Sequence, residues 1–444
     1  MQENHFDTVI IGAGPAGNAA AYSLSPHQKV MIIESDLWGG TCPNRGCDPK
    51  KILYGVINEK LQEQRFSSTG LKSQSNIDWP ALMKFKRSYT DSVPTGTKSG
   101  LKSAGVATIH GSASFVNSHT VMVDQKQISA DNFIIATGAF PAIPDLPGKN
   151  LFATSDDFLS MKQLPKTIGF VGSGFVAIEL ANIARVSGAT VHIFQHNDRI
   201  LRRFSTDYTN ELAKILSERG IKFHWNSQIK SLTENNGSVS VKATDGETKV
   251  DMMISAIGRP ANIKGLNLAK IGIKASSKGI KVNNHLQTSL SNIYAVGDVI
   301  DKTQPKLTPV ASLEGKYAAE NILKQKEPIS YPAVPEIVFS SPELAEVGVS
   351  LETAQAQTNK YKILNQQVGG WYSYHRLMDQ NAQVATIIDK DSGLLVGAVV
   401  LSVNAEELIN YFTEIINDKV SPTDVSARIP IYPSTASDLS YFYF

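Results

Sequence analysis

Cys42 and Cys47 are the only cysteines in a chain of 444 residues. Four residues separate them, in Gly39-Gly40-Thr41-Cys42-Pro43-Asn44-Arg45-Gly46-Cys47-Asp48-Pro49-Lys50. Thiols this close can react with each other, which makes the pair a candidate for reversible disulfide chemistry. A structural bridge or two buried thiols are the plainer alternatives. The opening residues Met1-Gln2-Glu3-Asn4-His5-Phe6-Asp7 have no basic stretch and no long apolar run, so no export leader is expected. Two cysteines without such a leader suit a catalytic dithiol in the cytoplasm rather than an extracellular staple.

A dithiol that turns over needs elements to bring it electrons, and two segments have the pattern for that. Thr8-Val9-Ile10-Ile11 reads as a buried strand running into Gly12-Ala13-Gly14-Pro15-Ala16-Gly17. An Ala-rich helix from Asn18 to Leu24 and a strand from Lys29 to Ile33 follow, ending at Glu34. Gly12, Gly14 and Gly17 permit a tight turn and let a pyrophosphate approach a helix N-terminus. Glu34 stands where an acid bonds ribose hydroxyls. The pattern recurs at Thr167-Ile168-Gly169-Phe170-Val171 and Gly172-Ser173-Gly174-Phe175-Val176-Ala177, with a helix from Ile178 to Val186 and a strand from Thr190 to Phe194. Here Gly172 and Gly174 remain and Ala177 takes the third glycine's place. The strand-end acid is replaced by Gln195, with His196, Arg199, Arg202 and Arg203 just beyond. Basic groups can grip a 2′-phosphate that an acid would repel, so NADPH is favoured over NADH. Hydride donation and thiol chemistry need an electron carrier between them, so the first nucleotide is expected to be FAD.

Together these segments resemble the class I pyridine nucleotide-disulfide oxidoreductases, the family of glutathione reductase, dihydrolipoamide dehydrogenase and mercuric reductase. The resemblance covers the whole chain. Phe133-Ile134-Ile135-Ala136-Thr137-Gly138 and Met253-Ile254-Ser255-Ala256-Ile257-Gly258 look like the family's crossover junctions. Asn292-Ile293-Tyr294-Ala295-Val296-Gly297-Asp298 looks like its second FAD motif, and Thr308-Pro309, a Thr cap with Pro at the first helical position, opens a helix to Leu323. The resemblance implies an α/β fold with two Rossmann-like dinucleotide-binding domains and a C-terminal α+β dimerisation domain. Its expected boundaries are 1–146 and 263–329 for FAD, 147–262 for NADPH and 330–444 for dimerisation. It implies a homodimer, with Gly40, Thr41, Lys50, Thr137, Gly138, Asp298 and Thr308 joining the first glycines and Glu34 at FAD. Gly258 joins Phe175, Ala177, His196 and Arg202 at NADPH. Cys47 becomes the thiolate facing the flavin and Cys42 the exchanging thiol. Lys50 matches a lysine near the reactive flavin nitrogen, Glu179 its partner and Phe175 an aromatic gate for nicotinamide.

The family pattern breaks at the C-terminus. Disulfide-reducing members end in His-Pro-Thr, two residues, then Glu, a pair lent to the partner subunit as general acid-base. Here Tyr432 replaces the histidine, Ser437 the glutamate, and Asp438 comes one residue late. A tyrosine hydroxyl, with a reference pKa near ~10, donates a proton but is a poor base. Two arginines that hold the carboxylates of glutathione are Tyr22 and Lys316 here, and the paired C-terminal cysteines of mercuric reductases are absent. The expected activity is transfer of electrons from NADPH through FAD and the Cys42–Cys47 disulfide to a small disulfide. Reduction of a metal ion, a quinone or another oxidant is the alternative, and a non-enzymatic redox-sensing flavoprotein is the third. A net charge of +2 with 19% charged residues carries no nucleic-acid footprint, and no apolar run suggests a membrane partner.

Overall fold

The structure is a computed structural model, and it describes residues 5–72 and 75–443. The first four residues of the opening stretch, Met1–Asn4, lie outside the described residues. By contact the chain divides into two compact units: Met1–Lys50, Lys84–Ala142 and Gly258–Ser330 in one, Lys51–Met83, Ile143–Ile257 and Tyr331–Phe444 in the other.

The first unit is built on a largely parallel sheet. Its strands run in the order Ala107–His110, Val30–Glu34, His5–Ile11, Lys126–Ile135, with Ile293–Ala295 beside the last half of Lys126–Ile135. The central strands are short β-branched runs, and Val9, Ile10, Ile32, Phe133 and Ile134 are buried at both faces, as a covered parallel sheet requires. Ala113–Asn117 and Thr120–Val123 form an antiparallel meander against the first half of Lys126–Ile135. The helices Pro15–Leu24 and Thr308–Leu323 pack together within this unit and bring both of their N-termini to the carboxyl ends of the parallel strands.

The second unit repeats the parallel plan in the strand order Ile221–His224, Thr190–Phe194, Thr167–Val171, Met252–Ser255, Phe152–Ala153. The helix Phe175–Val186 follows the second glycine loop. A three-stranded antiparallel sheet, Ile229–Asn235, Ser238–Ala243 and Gly246–Val250, is appended to it. The same unit carries a five-stranded antiparallel sheet in the order Glu336–Val338, Glu343–Gly348, Leu395–Ser402, Gln383–Asp389, Tyr361–Gln367. The helix Ala405–Asn417 covers that sheet with Leu408, Phe412 and Ile415, a stripe at helical spacing. Phe442 packs edge-on against Phe412, with Thr386 donating to its carbonyl at 2.6 Å, which fixes Phe442 to the sheet. The expected α/β class with an α+β C-terminal domain is the one found.

Candidate active site

The first glycine loop has the shape a dinucleotide needs. Gly12 turns with φ of +108°, and a Cβ there would sit 2.3 Å from the Ala136 carbonyl oxygen. Gly40 (φ +70°) approaches Gly14 so closely that a Cβ would lie 2.5 Å from its Cα. Two backbone loops therefore meet over the start of the helix Pro15–Leu24, leaving its first-turn N–H groups toward the space between them. Glu34 ends its strand buried. Its two oxygens accept from Ala13 N at 2.7 Å and Asp36 N at 2.8 Å, which fixes the carboxylate and still leaves lone pairs for ribose hydroxyls. These residues fit a bound FAD.

Both cysteines are free thiols. Cys42 lies in the short helix Thr41–Arg45, held by the Asn44 amide, which donates to the carbonyls of Trp38 (3.0 Å) and Gly40 (2.8 Å). Cys47 is the first residue of the 19-residue helix Cys47–Arg65, where the helix dipole favours negative charge. Thr308 is the first residue of its own helix, with Leu307 as the cap instead of the expected Thr308, and its hydroxyl sits 3.6 Å from the Cys47 sulfur. A hydrogen bond from Cys42, then one from Thr308 and the charge of Lys50, bring the Cys47 thiol down to about 6 against the opposing effects of burial and Asp48. The Cys42 thiol is pushed up by the same shared hydrogen bond, by burial and by the negative charge of Cys47. The geometry thus splits the pair into a thiolate at Cys47 and a proton-bearing thiol at Cys42.

Two neighbours of Cys42 escaped the sequence reading. Asp48 Oδ1 lies 3.8 Å from the Cys42 sulfur, and Tyr89 donates to Asp48 Oδ2 at 2.9 Å. Asp48 could have been noticed as an acid in a helix first turn, whereas nothing marks Tyr89, 41 residues further on. The Asp298 loop is also supported by residues not foreseen. Gly297 N donates to Glu314 at 2.7 Å, and the Lys302 ammonium pairs with the other Glu314 oxygen at 2.7 Å. Both side chains of that pair are buried, at 4% and 0% exposure. Lys306 then donates to the Asp298 carbonyl at 2.8 Å. Thr137 and Gly138 run beside the segment after Gly258: Thr137 donates to Asn262 O at 2.7 Å, and Asn262 N to Gly138 O at 2.9 Å. Gly258 thus clusters with the first unit.

In the second unit Gly172 and Gly174 lead into the helix Phe175–Val186. Phe175 opens that helix half exposed, while Ala177 is fully buried, its methyl filling core where a third glycine is common. Glu179 is buried and accepts from Phe339 N at 2.9 Å, so it also anchors the C-terminal sheet region. Beyond the strand Thr190–Phe194, Gln195 is tied to Asn197 and to the Arg199 carbonyl. Arg199 pairs with Glu352 at 3.8 Å and Arg203 with Glu336 at 3.0 Å. Arg202 and His196 are exposed, and Arg202 has no protein partner among the described residues. That leaves one arginine of the three available to a 2′-phosphate, and the set fits bound NADPH.

Of the substituted acid-base positions, Tyr432 is 77% exposed. Ser437 is consumed locally, since it and Ser434 cap each other's backbone N–H at 3.2 Å. Asp438 is buried. Lys316 sits 3.9 Å from Glu320 on its own helix, and Tyr22 is exposed on the helix Pro15–Leu24. No helix of the described residues is long and apolar enough to cross a membrane.

The family model described as pyridine nucleotide-disulphide oxidoreductase matches residues 6–315, and the family's dimerisation-domain model matches 334–441. The chain belongs to this family. It is 30% identical to a glutathione reductase of Nostoc sp. over 98% of each chain, and 31% identical to the chloroplastic/mitochondrial glutathione reductase of Pisum sativum over 98% of this chain and 81% of that one. It is 30% identical to a dihydrolipoyl dehydrogenase of Geobacillus stearothermophilus over 96% and 93%. Among solved structures it resembles the HOCl-induced flavoprotein disulfide reductase RclA of Escherichia coli, with a TM-score of 0.89 over 98% and 99% of the two chains at 24% identity. A copper(II) complex of a cysteine-to-serine variant of that protein superposes with a TM-score of 0.90. The chain is therefore an enzyme, an FAD-dependent NAD(P)H disulfide reductase with FAD and NADPH as cofactors.

Proposed function

We propose that the enzyme passes two electrons from NADPH, by way of FAD, to the Cys42–Cys47 disulfide and on to a small disulfide other than oxidised glutathione. The observation that carries this reading is the split pair: Cys47 held as thiolate beside Thr308, Cys42 held as thiol beside Asp48. Bound FAD would supply the chemistry that links hydride from NADPH to reduction of sulfur. Lys50 and the Cys47–Arg65 helix end stabilise negative charge at the Cys47 sulfur, and Thr308 orients it. Cys42 attacks one sulfur of the substrate disulfide, the S–S bond breaks, and the Cys42 proton leaves with the first substrate thiol. Cys47 then attacks Cys42, which restores the enzyme disulfide and releases the second substrate thiol. Glu34 and Asp298 would hold the FAD ribose and ribityl chain, with Glu314 positioning the Asp298 loop. Phe175, His196 and Arg202 would receive NADPH, and Lys50 would act at the flavin. In a cytoplasmic homodimer, the arrangement the dimerisation domain supports, Tyr432 would reach the partner's thiol pair as a proton donor.

A second reading, reduction of a metal ion or quinone, is favoured by one observation. Tyr432 and the self-capped Ser437 supply no His-Glu couple, and a lost acid-base typically lowers rate by about 10²–10⁴-fold. The experiment that separates the two is NADPH oxidation by the FAD-loaded enzyme with lipoamide, oxidised glutathione, other small disulfides, Cu²⁺, Hg²⁺ and quinones. A small disulfide is expected to give the highest kcat/KM. Oxidised glutathione is expected far below ~10⁶ M⁻¹s⁻¹, because Tyr22 and Lys316 give up two bidentate carboxylate contacts. Preference for a metal ion or quinone that survives loss of both cysteines would select the second reading.

Arg202 gives a test of the nucleotide site. Arg202→Ala is expected to lower the NADPH/NADH ratio of kcat/KM by about 10–100-fold, the value of one or two charge-assisted hydrogen bonds. An unchanged ratio would remove Arg202 from the site.

A further inference from the structure

A cavity of about 490 Å³ opens in the C-terminal part of the second unit. Four aromatic side chains, Trp371, Tyr372, Tyr432 and Tyr441, line it together with Asp438 and Gln366. Trp371 is fixed in place, stacked on Phe442 at 5.4 Å and met edge-on by Tyr441 at 6.0 Å. Large aromatic rings turned outward around a concave site mark a binding surface rather than core packing.

Two buried acceptors at the cavity have no donor among the described residues. Asp438 is 7% exposed, Ser437 donates to its Oδ1 at 3.5 Å, and its buried Oδ2 has no protein partner among the described residues. The Gln366 amide nitrogen donates to Tyr441 O at 3.3 Å, which fixes the amide and leaves its buried Oε1 likewise unpartnered. Buried acceptors left unpaired are costly and rare, and they call for a donor. No lysine or arginine is among the lining residues described. Burial raises the Asp438 carboxyl pKa, against the hydroxyls of Ser373 and Ser437, and a positive charge brought beside it would favour its ionised form. A group that brings both charge and N–H donors would satisfy such an oxygen, and aromatic faces attract the same charge.

We propose that this cavity binds the ammonium group of a small amine-bearing disulfide, making the preferred acceptor a cation. The proposal rests on the disulfide reductase reading above, because Tyr432, which forms part of the cavity wall, is the residue expected to meet the partner's thiol pair. Tyr22 offers no cationic grip for a substrate carboxylate, and Asp438 adds an acceptor for a substrate cation. The reaction balances as one bis(ammonioalkyl) disulfide, one NADPH and one proton giving two ammonioalkyl thiols and NADP⁺. The S–S bond is broken, each sulfur gains one electron and one proton, and NADPH is oxidised by two electrons.

The test uses the FAD-loaded dimer and two readouts. In the first, 1,6-diaminohexane is titrated calorimetrically into the oxidised protein, Asp438→Asn and Tyr441→Leu. Saturable binding to the wild type, weakened at least about tenfold by either variant, is expected from loss of a charged hydrogen bond or of a cation–π face. In the second, kcat/KM for cystamine is compared with that for bis(2-hydroxyethyl) disulfide. A ratio of at least about ten is expected, falling at least about tenfold in Asp438→Asn. Tyr441 is exposed, so Tyr441→Leu decides the matter if Asp438→Asn does not fold. Absence of diamine binding, or a wild-type ratio near one, overturns the proposal. Diamine binding without turnover of any disulfide keeps the cation site and rejects the disulfide reductase reading. A shift in dimer dissociation with diamine binding unchanged in Asp438→Asn would mean that the cavity receives a basic side chain of a second copy, and would also overturn it.

Discussion

Serine at Cys47 is expected to lower NADPH-driven disulfide reduction by roughly 10⁴-fold or more, since the resolving nucleophile is gone and nothing nearby replaces it. Serine at Cys42 is expected to do the same, yet the two variants should differ in their spectra. In Cys42→Ser the lone Cys47 thiol is the one proposed to face the flavin, with Thr308 and Lys50 still favouring its ionised form. A long-wavelength absorption from thiolate against oxidised flavin is therefore expected in Cys42→Ser without reductant, and absent from Cys47→Ser. In the wild type reduced by about one equivalent of NADPH, the Cys47 thiol is depressed to about 6. The thiolate, and the band with it, is present above that pH and fades as pH falls through about 6. Alanine at Cys42 takes away the largest of the stabilising interactions, so the midpoint should move upward in Cys42→Ala. Equal spectra for the two variants would exchange or dissolve the assigned roles.

Loss of the Glu314 side chain should have the largest effect on stability. Glu314→Ala leaves the Lys302 ammonium buried without its carboxylate and frees Gly297 N, so unfolding free energy should fall by about 3–5 kcal/mol. Because that loop carries Asp298, the variant should also lose FAD on gel filtration under conditions where the wild type retains it. Replacing the pair together, Lys302→Met with Glu314→Leu, should restore much of the stability, since an apolar pair leaves no buried charge, while the loop still lacks its Gly297 anchor. A Glu314→Ala variant within ~0.5 kcal/mol of the wild type would show that the pair is not structural.

Both nucleotide folds were legible in the sequence because a parallel sheet buried on two faces writes short unbroken apolar runs, and the glycines at their ends have few other uses. The strand Thr190–Phe194 has the bounds expected of it, and the helix expected from Ile178 begins three residues earlier, at Phe175, where the glycine loop closes. Contacts between distant elements were not legible. Asp48 reads as a helix-start acid until the helix Trp79–Thr90 brings Tyr89 onto it. Glu314 reads as one acid among alanines until Lys302 and Gly297 N are seen to converge on it. The residue type gave Thr308 as a cap, but the extended backbone at Leu307 takes that position and turns the Thr308 hydroxyl to Cys47. Ser437 could be aligned with a catalytic glutamate by counting residues, while its capping role with Ser434 depends on the local turn. That Trp79 belongs to the second unit was not legible either, since a tertiary contact with Phe158 decides it.

The central claim, that electrons from NADPH reach the Cys42–Cys47 pair, is open to a direct count. The chain has no other cysteine, so every thiol detected comes from this pair. The oxidised, FAD-loaded enzyme would be mixed anaerobically with one equivalent of NADPH per chain, denatured in acid and titrated with a thiol reagent. Two new thiols per chain, matched by one NADPH consumed, is the result expected. NADPH consumed and flavin reduced with no thiols formed would contradict the account, because the electrons would then stop short of sulfur.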